Sequence, residues 1–66
     1  MLKEYLGRRF YDSANGRYIE PDSVVCFMPP MMYSCVVSEV TLSGDLEVVE
    51  RQLFTRYELD HMEVLQ

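Results

Sequence analysis

The chain has 66 residues, of which 48% are apolar and 26% charged, and its formal net charge at pH 7 is −5. This length predicts a single small domain (residues 1–66), which buries only about 60% of the surface that its unfolded chain exposes. The apolar fraction argues against disorder, and no apolar run approaches the roughly 20 residues that a membrane-spanning helix needs.

The N-terminal segment begins with a short amphipathic stretch, residues 2–6, that ends at Gly7. It lacks the long apolar region of a secretory signal, so we expect a cytoplasmic chain that does not enter a membrane. Domains of this size usually gain stability from a disulfide, a metal or a partner. The composition therefore favours association with another protein or with a second copy of the chain.

The next segment predicts a β-hairpin. Arg8-Arg9-Phe10-Tyr11 and Arg17-Tyr18-Ile19 flank a turn at residues 12–16 that contains Asn15-Gly16. Asn-Gly between aromatic and β-branched runs is a strong hairpin signal, since both residues accept a positive φ. Glu20-Pro21-Asp22-Ser23 predicts a second turn, because proline presets φ at its second position.

The centre of the chain, residues 24–37, is close to a mirror image about Pro30 and Met31. Val24 to Met28 is predicted to be a buried strand that ends at Pro29 and Pro30, since proline donates no ladder hydrogen bond. If the hairpin closes symmetrically, Cys26 and Cys35 face each other. A cytoplasmic location favours free thiols over a disulfide.

The second half of the chain continues with short predicted strands. Tyr33 to Leu42 is a strand, Ser43-Gly44-Asp45 a turn, and residues 46–54 a further strand. An alternative is a helix over about 46–58, because several apolar residues also fit a helical face. Adjacent Val48 and Val49 disfavour that helix. A tight turn at residues 59–61 and a closing strand at residues 62–65 complete the pattern.

Five short strands separated by turns predict a mainly β fold, either a small five-stranded barrel or a strongly bent antiparallel sheet. The spacing is similar to that of SH3-like barrels, which have a long bent central hairpin and a one-turn helix before the last strand. The helix over about 46–58 would instead give an α+β fold. Fold alone decides no function.

Side chains that could support catalysis or metal binding are few. His61 is the only histidine, and nothing near it in sequence indicates a nucleophile or a pocket. Eight residues separate the two cysteines, which does not match the spacing of zinc ligands. We therefore predict no enzyme activity, no metal and no cofactor.

The Met- and Pro-rich apex is the main candidate for partner binding. Methionine adapts to irregular binding surfaces, and proline limits the entropy lost when a loop is ordered by a partner. The first hypothesis is thus a non-catalytic acidic interaction module. It would bind another protein through this apolar loop, with nearby carboxylates giving orientation. The predicted contacts are Phe27, Met28, Pro29, Pro30, Met31, Met32, Tyr33, Glu47 and Glu50.

Charge polarity indicates the kind of partner. Residues 1–19 hold four cations and two carboxylates, whereas residues 20–66 hold two arginines and nine carboxylates. Such an acidic region should attract a basic protein surface and repel nucleic acid. A compact chain of this sort is typical of what a phage or accessory operon would encode, and by that association we expect an inhibitor or adaptor of a host protein.

The alternative hypothesis comes from the basic and aromatic N-terminal hairpin. Cations interleaved with aromatic rings on a small barrel can neutralise phosphates and stack on bases. This nucleic-acid-binding barrel would use Arg8, Arg9, Phe10, Arg17 and Tyr18. The same pattern is also explained by cation–π and aromatic packing that only stabilises the hairpin.

Overall fold

The computed structural model describes residues 4–25 and 31–65 and has a mainly β fold, as predicted. Its elements in chain order are β1 (Arg9–Asp12), β2 (Arg17–Val25), β3 (Met32–Val40), β4 (Leu46–Thr55), α1 (Arg56–Asp60) and β5 (Glu63–Leu65). The strands form one antiparallel sheet in the order β4-β3-β2-β1-β5. Within the described residues β4 and β5 are the two edges and do not pair. The open sheet is therefore formed, and the closed barrel is not.

The hydrophobic core lies against one face of this sheet. Phe10, Ile19 and Tyr33 each have at most 1% of their surface exposed. Tyr5 covers them from the N-terminal segment, with its ring 5.0 Å from that of Tyr33 in an edge-to-face arrangement. The Tyr5 hydroxyl donates to the carboxylate of Asp60, which joins the N-terminal segment to α1. The rest of the core is formed by Cys35, Val37, Phe54 and Leu59.

The predicted β1–β2 hairpin is present, with a loop of residues 13–16. Asp12 lies opposite Arg17, and its carbonyl accepts from the backbone N–H groups of Asn15 and Gly16. The Asn15 side chain also donates to the Asp12 carboxylate at 2.8 Å. Gly16 adopts a φ of 65°, which glycine tolerates because it has no Cβ. Asn15 keeps a negative φ.

The turn predicted at residues 20–23 is wrong, because β2 runs through this segment. Pro21 lies opposite Cys35, Ser23 lies opposite Ser34, and Asp22 is the extra residue of a β-bulge. Pro21 falls beyond Phe10–Ile19, the last residue pair of β1 and β2 at that end. Its missing N–H therefore costs no bond to β1, and a bulge is where a sheet tolerates proline.

The helix predicted as an alternative over about 46–58 is also wrong, since residues 46–55 form β4. The helix begins only at Arg56, after Thr55. The Thr55 hydroxyl accepts from the Glu58 backbone N–H, and the Glu58 carboxylate accepts from the Thr55 backbone N–H. This capping box satisfies two N–H groups at the helix start. The predicted tight turn at residues 59–61 is thus the end of this short helix.

The strand register does not support the expected facing of the two cysteines. Val25 lies opposite Met32, and Cys35 lies opposite Pro21 on one side and Gln52 on the other. Cys26 lies outside the described residues. Cys35 is a free, fully buried thiol, and burial raises its pKa to about 12. It packs as a core side chain and donates weakly to the Tyr33 carbonyl.

Within residues 4–25 and 31–65, no helix is long and apolar enough to cross a membrane.

Candidate protein-interaction surface

A two-stranded projection extends from one end of the sheet. The pairing of β2 with β3 ends where Tyr18 lies opposite Ser38, whereas β3 and β4 continue to pair beyond it. Backbone bonds from Thr41 N–H to the Asp45 carbonyl (2.7 Å) and from Gly44 N–H to the Thr41 carbonyl (3.0 Å) close the turn. Gly44 has a φ of 90°. We call residues 38–49 the arm and the remaining strands of the sheet the body.

One face of the arm is apolar. Val40 lies opposite Leu46, and Ser38 lies opposite Val48. Because side chains alternate along strands, these residues share the sheet face that is turned away from the core. Val40, Leu46 and Val48 are 52%, 42% and 66% exposed. Contiguous exposed apolar side chains of this kind are typical of interaction surfaces.

A shallow depression continues this apolar face toward the body of the sheet. Its volume is about 270 Å³, and Tyr18, Val36, Leu46 and Val48 are among the residues that line it. Tyr18 is held in place by the ring of Tyr11 on β1, with ring centroids 5.0 Å apart. The depression offers room for an apolar side chain from outside.

The opposite face of the arm is acidic. Glu39 lies directly opposite Glu47, and both are exposed. Neither carboxylate has an ion pair or a side-chain hydrogen bond to any part of the chain that the structure describes. Residues 38–49 hold three carboxylates and no Lys or Arg. Like charges directly opposite each other destabilise a sheet, so the free arm carries an uncompensated repulsion.

The second predicted acidic contact, Glu50, has a different environment. Its carboxylate accepts from Arg17 at 2.8 Å and from the Gln52 amide at 2.6 Å. Arg17 also lies 3.8 Å from Asp12. Glu50 thus links β4 to β2 in the body of the sheet, whereas Glu47 has no such role.

A second arginine ties the body of β4 to the bulge of β2. Arg51 donates to Asp22 at 2.7 Å and to the Ser34 hydroxyl at 2.9 Å. The hydrogen bond from Arg51 lowers the pKa of Asp22. Arg17 and Arg51 are therefore both paired with carboxylates of the chain itself.

The predicted apex lies largely outside the described residues, which exclude Phe27, Met28, Pro29 and Pro30. Met31 and Met32 are half-buried, and Met31 packs against the hydrophobic core. Tyr33 is only 1% exposed and belongs to the core itself. The contact that the apex was expected to make with a partner stays a prediction for residues 27–30.

The basic and aromatic residues of the alternative hypothesis do not form one open cationic surface. Arg9 lies 3.6 Å from Glu20, and Arg17 is held by Asp12 and Glu50. Phe10 is in the core, and Tyr18 packs on Tyr11. Arg8 is exposed. The nucleic-acid hypothesis stays a prediction without a contact surface to support it.

His61 lies at the end of α1. Its Nδ1 is 2.8 Å from the Tyr57 carbonyl, and its ring lies 4.1 Å from that of Tyr57. Across residues 4–25 and 31–65, no group of three or more His, Cys, Asp and Glu side chains is arranged to hold a metal ion.

The apolar face of the arm and Glu39 were missed as contact residues at the level of sequence. A signal was present, since the apolar alternation of β3 and β4 continues up to the turn from both sides. That alternation predicts strands, and it does not reveal where pairing with the neighbouring strand β2 begins.

No family model, curated protein or solved structure matches this chain. Its function is therefore argued from the surface itself.

Proposed function

We propose that this chain is a non-catalytic, acidic protein-interaction module that presents the arm to another protein. The observation that carries the proposal is the exposed apolar face of the arm, formed by Val40, Leu46 and Val48. Covering such side chains with a partner removes apolar surface from water, at about 25 cal/mol per Å². Single exposed apolar side chains are common on monomers, whereas adjoining ones on one face are typical of interaction surfaces.

The acidic face of the arm indicates a partner with basic groups. Glu39 and Glu47 repel each other in the free chain, and a cation placed between or beside them would relieve that repulsion. Exposed charges of this kind mainly raise the rate of encounter and suppress wrong partners. An inhibitor or adaptor that binds a basic protein surface fits this combination, and the cytoplasm is the compartment we propose for it.

Affinity capture from the cells that make this protein tests the proposal. The tagged chain is compared with Leu46→Asp/Val48→Asp, which places charge on the apolar face of the arm. Leu53→Asp is the matched control, because Leu53 is also exposed on β4 but lies in the body of the sheet. Circular dichroism verifies that each variant is folded.

We expect proteins that are enriched equally by the wild-type chain and by Leu53→Asp, and lost with the double variant. Enrichment that is unchanged by the double variant would place the contact elsewhere and refute the role of the arm. If no protein is enriched above the tag alone, the interaction-module proposal itself fails.

A further inference from the structure

The two edges of the sheet differ in length and accessibility. The edge strand β5 has three residues, whereas the edge strand β4 has ten. Within the described residues β4 pairs only with β3, so its outer side presents free main-chain N–H and C=O groups. An open edge of this kind can accept an additional strand.

Side chains along the first part of this edge alternate between the two faces of the arm. Leu46 and Val48 point to the apolar face, and Glu47 points to the acidic face beside Glu39. A strand added next to β4 places its own side chains alternately on the same two faces. Apolar side chains would then lie beside Leu46 and Val48, next to the depression, and a side chain between them would lie beside Glu47.

A β-bulge limits where such a strand can pair. Glu50 lies opposite Val37 and Val48 lies opposite Ser38, which leaves Val49 as the extra residue of β4. Bulges interrupt the regular ladder and protect an edge from continuous pairing. The regular part of the free edge within the arm is therefore residues 46–48.

We infer that the partner of the arm is an extended segment of another protein that alternates apolar and cationic residues and pairs with β4 at residues 46–48. This inference rests on the proposed function and specifies the chemistry of the partner. A Lys or Arg beside Glu47 relieves the Glu39–Glu47 repulsion, and its apolar neighbours cover Leu46 and Val48. A second copy of β4 fits less well, because antiparallel pairing centred on Glu47 sets one Glu47 against the other.

The test uses a heptapeptide of alternating Lys and Val, capped at both ends and labelled for fluorescence anisotropy. We expect saturable binding, with amide exchange slowed at alternate residues of β4, because only every second N–H faces the free edge. Glu47→Gln should weaken binding by about fivefold at low salt, as loss of one exposed charge pair predicts. Glu63→Gln removes the same charge from β5 and should leave binding unchanged.

Two analogues of the peptide separate strand pairing from simple attraction. A peptide of the same composition with Val and Lys in separate blocks keeps the charge but loses the alternation. An analogue with ester oxygens in place of its internal amide N–H groups keeps the side chains but cannot donate to β4. We expect each to bind at least about tenfold more weakly, since several hydrogen bonds of about 1 kcal/mol are at stake. Equal binding by either analogue overturns the inference.

Analytical ultracentrifugation of the chain alone tests whether a second copy of the chain, instead of another protein, occupies the edge of β4. We expect a monomer, whereas a dimer that Val48→Asp dissociates would show that a second copy covers this edge and would overturn the inference. If arm-dependent capture succeeds and the alternating peptide does not bind, the strand-pairing inference fails while the interaction module stands. If the peptide pairs with β4 and no protein is captured, the proposed function fails instead.

Discussion

The two halves of the β3–β4 hairpin have similar alternation of apolar residues but differ in how far those residues are buried. On the sheet face turned away from the core, Val36 of β3 is half-buried in the body, whereas Val40 farther along the same strand is 52% exposed. β-Branched and apolar residues alternate through both halves. The difference is that Tyr18 of β2 and Val36 line the same depression, while in the described chain no residue of β2 pairs with β3 beyond Ser38. Apolar alternation therefore predicts a strand but not its burial.

The same contrast applies to charge. In the body the carboxylate of Glu50 is held by Arg17, and Asp22 is held by Arg51. In the arm Glu39 and Glu47 oppose each other without a cation from the described residues. Glu50 and Asp22 in the body are thus paired within the chain, whereas Glu39 and Glu47 in the arm are not.

The largest expected effect is on stability, from truncating one apolar side chain in each half. Phe10→Ala should cost about 3–5 kcal/mol, because it opens a cavity in the core. A domain of this size has about 3–10 kcal/mol of stability in total, so most or all of the fold is lost. Val40→Ala, in the arm, should change stability by less than about 0.5 kcal/mol. Urea denaturation followed by circular dichroism measures both, and similar losses would refute the division into body and arm.

Thiol reactivity gives the next largest difference. In a Cys26→Ser background, the thiol of Cys35 should react with iodoacetamide at least about a hundredfold more slowly than one introduced by Val48→Cys, because it is exposed only on unfolding. Burial also raises the pKa of Cys35 to about 12, which leaves little of the reactive thiolate at neutral pH. Mass spectrometry of labelled peptides follows each site separately.

The labelling experiment has its own control in urea, where the two thiols should react at similar rates. Fast labelling of Cys35 under native conditions would mean that the body opens as readily as the arm.

The smallest expected effect is on stability, where the same type of substitution, Glu to Lys, should have opposite signs in the arm and in the body. Glu39→Lys should stabilise the chain by about 0.2–1 kcal/mol, because it turns a repulsive cross-strand pair into an attractive one. Glu20→Lys should destabilise it by a similar amount, because it removes the partner of Arg9 in the body. Urea denaturation at low salt compares them, and a loss of stability with Glu39→Lys would contradict the repulsion inferred for the arm.

Local features of the chain were predictable where neighbouring residues decide them. The hairpin around Gly16, the turn around Gly44 and the strand over residues 46–54 follow from turn chemistry and from alternation of period two. The segment at residues 20–23 was not predictable in this way. Its Glu-Pro-Asp-Ser sequence is typical of a turn, but pairing with β3 holds it in β2 and turns Asp22 into a bulge.

Register was the second feature that sequence could not supply. The apparent mirror symmetry places Cys26 opposite Cys35, yet Cys35 lies opposite Pro21. A shift of pairing by a few residues leaves the local pattern intact, since strand preference depends on the residues and not on their partners.

The sequence by itself determined that this chain is mainly β, with an acidic second half and five short strands. The tertiary structure decided which apolar residues are covered and which carboxylates are paired with a cation. It also decided that Glu39 lies opposite Glu47 of the edge strand β4. Strand formation depends on the alternation and turn residues of the segment itself. Burial and charge pairing depend on the register and length of strands that are distant in sequence. The candidate surface is therefore defined by the end of the β2–β3 pairing at Tyr18 and Ser38, and no local sequence pattern predicts that position.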